Sequence, residues 1–351
     1  MSLRAKLNAP SAATKRGFQL DEPKTLHFKG VDQFYTALKD QEGSWAPVPA
    51  DSVTRIDLDG RIVNTDLKLS RAAFADLCQF TGIPNRFINT LAVIDPQQAL
   101  DVVETMIGSV FQAGAGKTLM VDSRYDRVEG IVGAETYSPL SNRQAVDYLL
   151  SAVPGLSLAS GWLCGPNMRA AALSKAKPHD VKKGDIVHVG VSVENAIHGD
   201  RSLKIREYVE RLVCTNGMTA MKEGHFESIV HRGDIEFASA QAIVRAATRA
   251  EDVLLRTDIA VDRFMFVNDL RAVREYIKES PMGGQSVEIA AVRLAQEEAE
   301  KEGRAPEETT LWNWVNAVTE QTHAAPSLQR RMALEGLGHS VLFRFTNADM
   351  N

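Results

Sequence analysis

Apolar residues recur along this chain with a helical period, then a strand period, then a helical period again, and the changes divide it. From Val31 to Lys39 and from Arg71 to Phe80 the apolar positions fall at helical spacing, with Gly82 placed to stop the second helix before Pro84. A short helix through Phe87–Leu91 follows. Asp95-Pro96 then supplies a cap and a first-turn proline for a helix over 97–110, with Leu100, Val103, Met106, Ile107 and Val110 on one side. Between the first two helices, Val53–Val63 alternates about Asp59-Gly60, the residue pair of a two-residue turn, and this predicts a β-hairpin.

From Lys117 the period shortens to two. Thr118–Val121 and Val128–Val132 read as strands, and Ser141 or Asn142 caps a helix over 143–153. Strands are then expected over 156–163, 169–173, 186–193, 202–213 and 218–221. Gly165-Pro166, Lys183-Gly184, Gly199-Asp200 and Asn216-Gly217 separate them as turns. Beyond Asp234 the helical period returns, with helices expected over 235–257, 258–278, 286–302 and 309–322. The fold class is therefore α+β: a central antiparallel β-meander followed by a long helix, with an N-terminal α/β segment and a C-terminal all-α region. The expected divisions are a flexible arm at 1–20, a hairpin and helical unit at 21–115, a central sheet domain at 116–233 and a helical region at 234–351.

At 351 residues and 44% hydrophobic content the chain is long enough for more than one core, and its composition excludes bulk disorder. The net charge of -5 is unevenly spread: residues 151–250 hold a surplus of three cations, and residues 251–351 a surplus of six anions. An anionic partner is thus sought on the central strands. No uninterrupted apolar run reaches the roughly 18 residues of a membrane helix, so no membrane contact is expected and the expected compartment is the cytoplasm. Cys78, Cys164 and Cys214 are isolated from one another among apolar neighbours and read as core thiols.

Several motifs fail on spacing. Gly114-Ala-Gly-Lys-Thr118 resembles the end of a phosphate-binding loop, but Phe111 stands where the first glycine belongs, and the order is helix then strand. His188, His198, Cys214, His225 and His231 are zinc-ligand types without a spacing that fixes two ligands together, so no metal and no cofactor are expected. The basic strands remain. Lys182, Lys183, Arg201, Lys204, Arg206, Arg211 and Arg232 gather at their turns and faces; Lys204, Arg206 and Tyr208 share one sheet face by alternation, combining phosphate-binding cations with an aromatic ring. A solvated outer sheet face would carry the same residues.

The stretches Ala75–Pro84, Tyr137–Asn142, Val191–Asn195, Ser202–Ile205, Arg211–Met218 (Arg-Leu-Val-Cys-Thr-Asn-Gly-Met) and Thr310–Glu320, which holds Trp312 and Trp314, together resemble the phage- and plasmid-like family called domain of unknown function 932. The resemblance implies a setting in mobile-element DNA metabolism and transfers no catalytic residue. A meander followed by a long helix is also similar to the core of single-strand annealing recombinases, which bind the DNA backbone in a basic groove. The expectation is a non-enzymatic protein of DNA recombination that binds or anneals single-stranded DNA as a homo-oligomer, through the basic strands. Two alternatives stay open. One is a metal-assisted enzyme around Cys214, Asn216, His225 and His231; the other is an accessory protein whose acidic helices contact a partner.

Overall fold

The computed structural model describes residues 18, 20, 25–28, 30–50, 53–111, 116–133, 135, 137–174, 179–182, 185–198, 202–211, 217–219, 226–326 and 328–346. Two sheets and ten α-helices are present among them. The larger sheet has eight strands, antiparallel at every pairing. Its main path runs β1 (Thr25–Phe28), β6 (Leu156–Cys164), β7 (Asn167–Ser174), β9 (Asp185–Ala196), β10 (Leu203–Arg211), β11 (Gly217–Thr219). β8 (His179–Lys182) pairs with β9, and β12 (Glu227–Ile229) pairs with β10. The meander expected from the period-two pattern is present.

The smaller sheet orders β2 (Trp45–Pro49), β4 (Lys117–Asp122), β5 (Arg127–Gly133) and β3 (Lys68–Leu69). Helices α2 (Arg71–Thr81), α3 (Asn85–Ile94) and α4 (Pro96–Phe111) pack on it through Phe74, Leu77, Ile88, Val103, Ile107, Leu119 and Val128. Ser70 caps α2, and Gly82, at φ 70°, closes it in the left-handed conformation that lacks a steric penalty only for glycine.

Sheet membership crosses the division expected at 115/116. β4 and β5 complete the N-terminal sheet, whereas β1 and α1 (Val31–Glu42) belong to the central one, where Phe34 and Leu38 are buried. The reason is pairing: β2 has its backbone partner in β4, so the first 50 residues serve both sheets. The hairpin expected over Val53–Val63 is also reduced. Asp57 and Arg61 do close a turn, with Gly60 at φ 77°, but only the isolated bridge Ile56 to Ile62 extends it. Arg61 bridges to Lys68 instead, and Gly60 accepts from Leu69, so the turn is spent on anchoring β3.

One face of the large sheet is covered by α1, α5 (Asn142–Ala152) and the first half of α6 (Ile235–Asp262), against Ala170, Ala172, Val191, Val193 and Ile205. α6 has 28 residues, about 42 Å of helix, long enough to enter a second core as well. There its Ala250 and Val253 meet Val187, Val189 and Val209 and helices α7 (Val267–Glu279), α8 (Gln285–Lys301), α9 (Leu311–Glu320) and α10 (Leu328–Thr346). The apolar spacing predicts no helix over 328–346. Leu334, Leu337, Val341 and Leu342 of α10 are nonetheless core residues.

Candidate functional site

Register builds the site. Across β7, β9 and β10, Arg169 stands opposite Glu194 and Glu194 opposite Lys204; Ala171 stands opposite Ser192 and Ser192 opposite Arg206; Gly190 stands opposite Tyr208. Side chains alternate between sheet faces, so Arg169, Ser192, Glu194, Lys204, Arg206 and Tyr208 share the face opposite the one packed on α1, α5 and α6. Trp162, opposite Arg169 on β6, joins them.

This face is ionic and largely buried. Arg206 donates to Glu194, and Arg206 is 3% exposed. Arg169 is ion-paired at 2.6 Å to Glu335, a residue of α10 that is 1% exposed. Arg331, one turn earlier on α10, donates to the same carboxylate at 3.0 Å and sits 4.9 Å over the Trp162 ring, which in turn stacks on His27 at 3.7 Å. The result is a chain of alternating charges, Arg331, Glu335, Arg169, Glu194, Arg206, running from α10 across three strands.

The electrostatics differ at the two inner arginines. Burial opposes the charge of Arg169, but Glu335 and Glu194 more than offset it and its pKa rises. At Arg206 burial dominates and the like charge of Arg169 adds to it, against Glu194 and Glu335, so the pKa falls. Tyr208 is raised well above the ordinary phenol value by burial and by Glu335 and Glu210, and it stays neutral. Two donors on the face have no hydrogen-bond partner among the described residues, Nε of Arg206 and the hydroxyl of Ser192. Lys204 is half-buried and makes no ion pair among the described residues; its ammonium lies 6.0 Å from the Phe226 ring, which also lies 5.6 Å from the Arg206 guanidinium.

The cations expected to act together are divided by this topology. Lys204 pairs with Glu194, near the β9–β10 turn, and Arg232 is exposed three residues after β12, whose Ile229 pairs with Leu203 at the same end. Arg211 ends β10 opposite Val187, and Lys182 ends β8 opposite Asp185, at the other end. Arg211 lies seven positions beyond Lys204 along β10, about 23 Å of strand. Of the residues expected on one basic face, Arg206 and Tyr208 are enclosed, Lys204 and Arg232 lie at one end of the sheet, and Arg211 and Lys182 end their strands at the other. Lys183 and Arg201 lie outside the described residues, as do the side chains of Lys182 and Arg211.

Of the alternative catalytic group, Cys214, Asn216 and His225 lie outside the described residues. His231 is buried and stacks on Tyr137 at 5.5 Å. Cys78 is buried, which pushes its thiol up to about 11 and keeps it protonated at neutral pH. No group of three or more metal-binding side chains occurs among the described residues, and no described helix is long and apolar enough to cross a membrane.

Sequence reasoning passed over Arg169, Ser192, Glu194, Arg331 and Glu335. The signal available for Arg169 was a lone arginine alternating with alanines in a strand, whose outward neighbours are too small to be a conventional solvated face. For Glu194 it was its place in Val191–Asn195, where Asn195 donates to Leu140 and Asn142, tying two of the quoted stretches together through buried amides.

Fold and site define an α+β protein with an antiparallel sheet, one face packed on helices and the other carrying a buried chain of ion pairs closed by the last helix. The family model described as Domain of unknown function (DUF932) matches residues 130–333, more than half of the chain, and the chain belongs to that family. No curated protein and no solved structure matches it.

Proposed function

We propose that this chain is a non-enzymatic, single-stranded nucleic-acid-binding protein of phage or plasmid DNA metabolism, holding its ligand at the β9–β10 end of the large sheet. One observation carries the reading: Phe226, 39% exposed, is bracketed by Lys204 and Arg206, with Arg232 exposed at the same end. A half-exposed ring offers a base a stacking platform, and Lys204 and the exposed Arg232 take the backbone, with Arg206 enclosed behind the ring. The reading includes self-association in the cytoplasm, since annealing requires two strands to be held on adjacent copies.

The test is binding of single- and double-stranded oligonucleotides of mixed sequence across a salt series, with native mass measured alongside. Single strands are expected to bind, with log affinity falling by roughly 0.7 per neutralised phosphate for each log unit of salt. Phe226→Ala is expected to weaken binding by about 1–3 kcal/mol, and Lys204→Glu with Arg232→Glu to abolish it. No binding at low salt, or affinity indifferent to salt, overturns the proposal.

A further inference from the structure

Among the described residues, the charge chain on this sheet face is not balanced. Three guanidinium groups, Arg331, Arg169 and Arg206, alternate with two carboxylates, Glu335 and Glu194. Lys204 adds a fourth cation at the Arg206 end, opposite Glu194. The next carboxylate on that side of β10 is Glu210, four residues beyond Arg206 and about 13 Å away along the strand. Glu207, between them, points to the other face, where Arg249 holds it.

Unsatisfied donors occur at the same end. Arg206 uses one terminal nitrogen on Glu194, while its Nε–H has no acceptor; the Ser192 hydroxyl, directly across the strand pair and 1% exposed, has none either. A buried N–H or O–H without a partner costs free energy, and a buried surplus of positive charge costs more. One anion with several acceptor lone pairs relieves both. Chloride supplies charge without directed acceptors; a tetrahedral oxyanion supplies both, and a guanidinium Nε–H, a hydroxyl and an ammonium suit its separate oxygens. Phe226, 39% exposed, stands at the Arg206 end beside Lys204.

From this geometry we infer an oxyanion subsite formed by Ser192, Lys204 and Arg206, with the phosphate group as its ligand, free or at the end of a mononucleotide. It does not require a polymer, so it stands or falls separately from nucleic-acid binding.

Inorganic phosphate is the probe, titrated into the full chain while melting temperature and heats of binding are followed, with sodium chloride at matched ionic strength as the control and a nucleoside monophosphate as a second arm. Phosphate a hundredfold above its Kd is expected to raise the melting temperature by roughly 3–5 °C. A response to the monophosphate matching or exceeding that to phosphate assigns the group to a nucleotide; a response to phosphate alone assigns it to the free ion. Ser192→Ala separates binding from folding: it removes a buried orphan hydroxyl, so it is expected to melt no lower than the parent without ligand, yet to bind phosphate at least tenfold more weakly. Lys204→Met is expected to show the same loss. Equal shifts from phosphate and matched sodium chloride overturn the inference, as do undiminished shifts in both variants. Phosphate binding without oligonucleotide binding leaves it standing and removes only the proposed function.

Discussion

At the scale of residues, the ion pair between Arg169 and Glu335 is the most consequential contact between the sheet and α10. Both side chains are almost wholly buried, so neither charge can turn to water if its partner is removed. Glu335→Ala leaves Arg169 without its salt bridge and removes the acceptor of Arg331; a loss of about 3–5 kcal/mol is expected in urea denaturation. Replacing Arg169 and Glu335 together by apolar residues of similar volume is expected to recover much of that loss, because the cost lies in the stranded charge more than in the missing attraction. A double variant as unstable as the single would show that the contact matters for shape and not for charge. The same residues mark how far sequence goes. Strand alternation places Lys204, Arg206 and Tyr208 on one face, and register agrees. It says nothing of what lies over that face, and the cover comes from Glu335, 129 positions after Arg206 in the chain. Periodicity reports which side a residue takes; burial depends on contacts distant in sequence.

At the scale of elements, local chemistry was most legible where it is self-contained. Ser141 accepts from the backbone of Gln144, whose side chain accepts from Ser141 in return, completing a capping box for α5. Asn142, the next residue, is tied to distant elements: it donates to Gln41 at 2.8 Å and to Pro166 at 3.0 Å and accepts from Asn195 at 2.9 Å. The two adjacent polar residues therefore have different roles, and substitution separates them. Ser141→Ala is expected to cost about 1 kcal/mol, the ordinary loss of a cap. Asn142→Ala is expected to cost more, since it removes the donor to the Gln41 side-chain carbonyl and one acceptor of the Asn195 amide in a dry setting, at about 1–3 kcal/mol per group left unsatisfied. Denaturant midpoints for the two variants check the order, and equal midpoints would contradict it. The cap was readable from Ser141 and its neighbours. The network was not, because its members come from α1, α5, β9 and the β6–β7 turn. The hairpin about Asp59-Gly60 stays short for a related reason: the turn closes, but Gly60 and Arg61 also pair with Leu69 and Lys68 of β3.

At the scale of the whole molecule, the core clusters determine what each part depends on. The small sheet with α2, α3 and α4 closes its own core around Phe74, Leu77, Ile107 and Leu119, with no residue of α6 to α10 in it. The C-terminal core is the opposite case. Leu334, Leu337, Val341 and Leu342 of α10 pack with Val187, Val189 and Val209 of the large sheet in one cluster, and Glu335 of the same helix lies against the other sheet face. An acidic helical region appended to a basic sheet, as charge counting suggests, is thus an integral part of that sheet's cover. Removing residues 328–351 takes away core side chains and the carboxylate opposite Arg169 together, and the two losses fall on the same strands. Hydrogen exchange on the truncated chain is expected to show β7, β9 and β10 losing protection by orders of magnitude, while amides of α4, β4 and β5 keep protection close to that of the full chain. Loss of protection throughout would mean that the two sheets unfold as one cooperative unit. Retained protection in β9 and β10 would mean that α6, α8 and α9 hold the large sheet without the last helix, and the buried ion pair would then be an ornament of the fold instead of its closure.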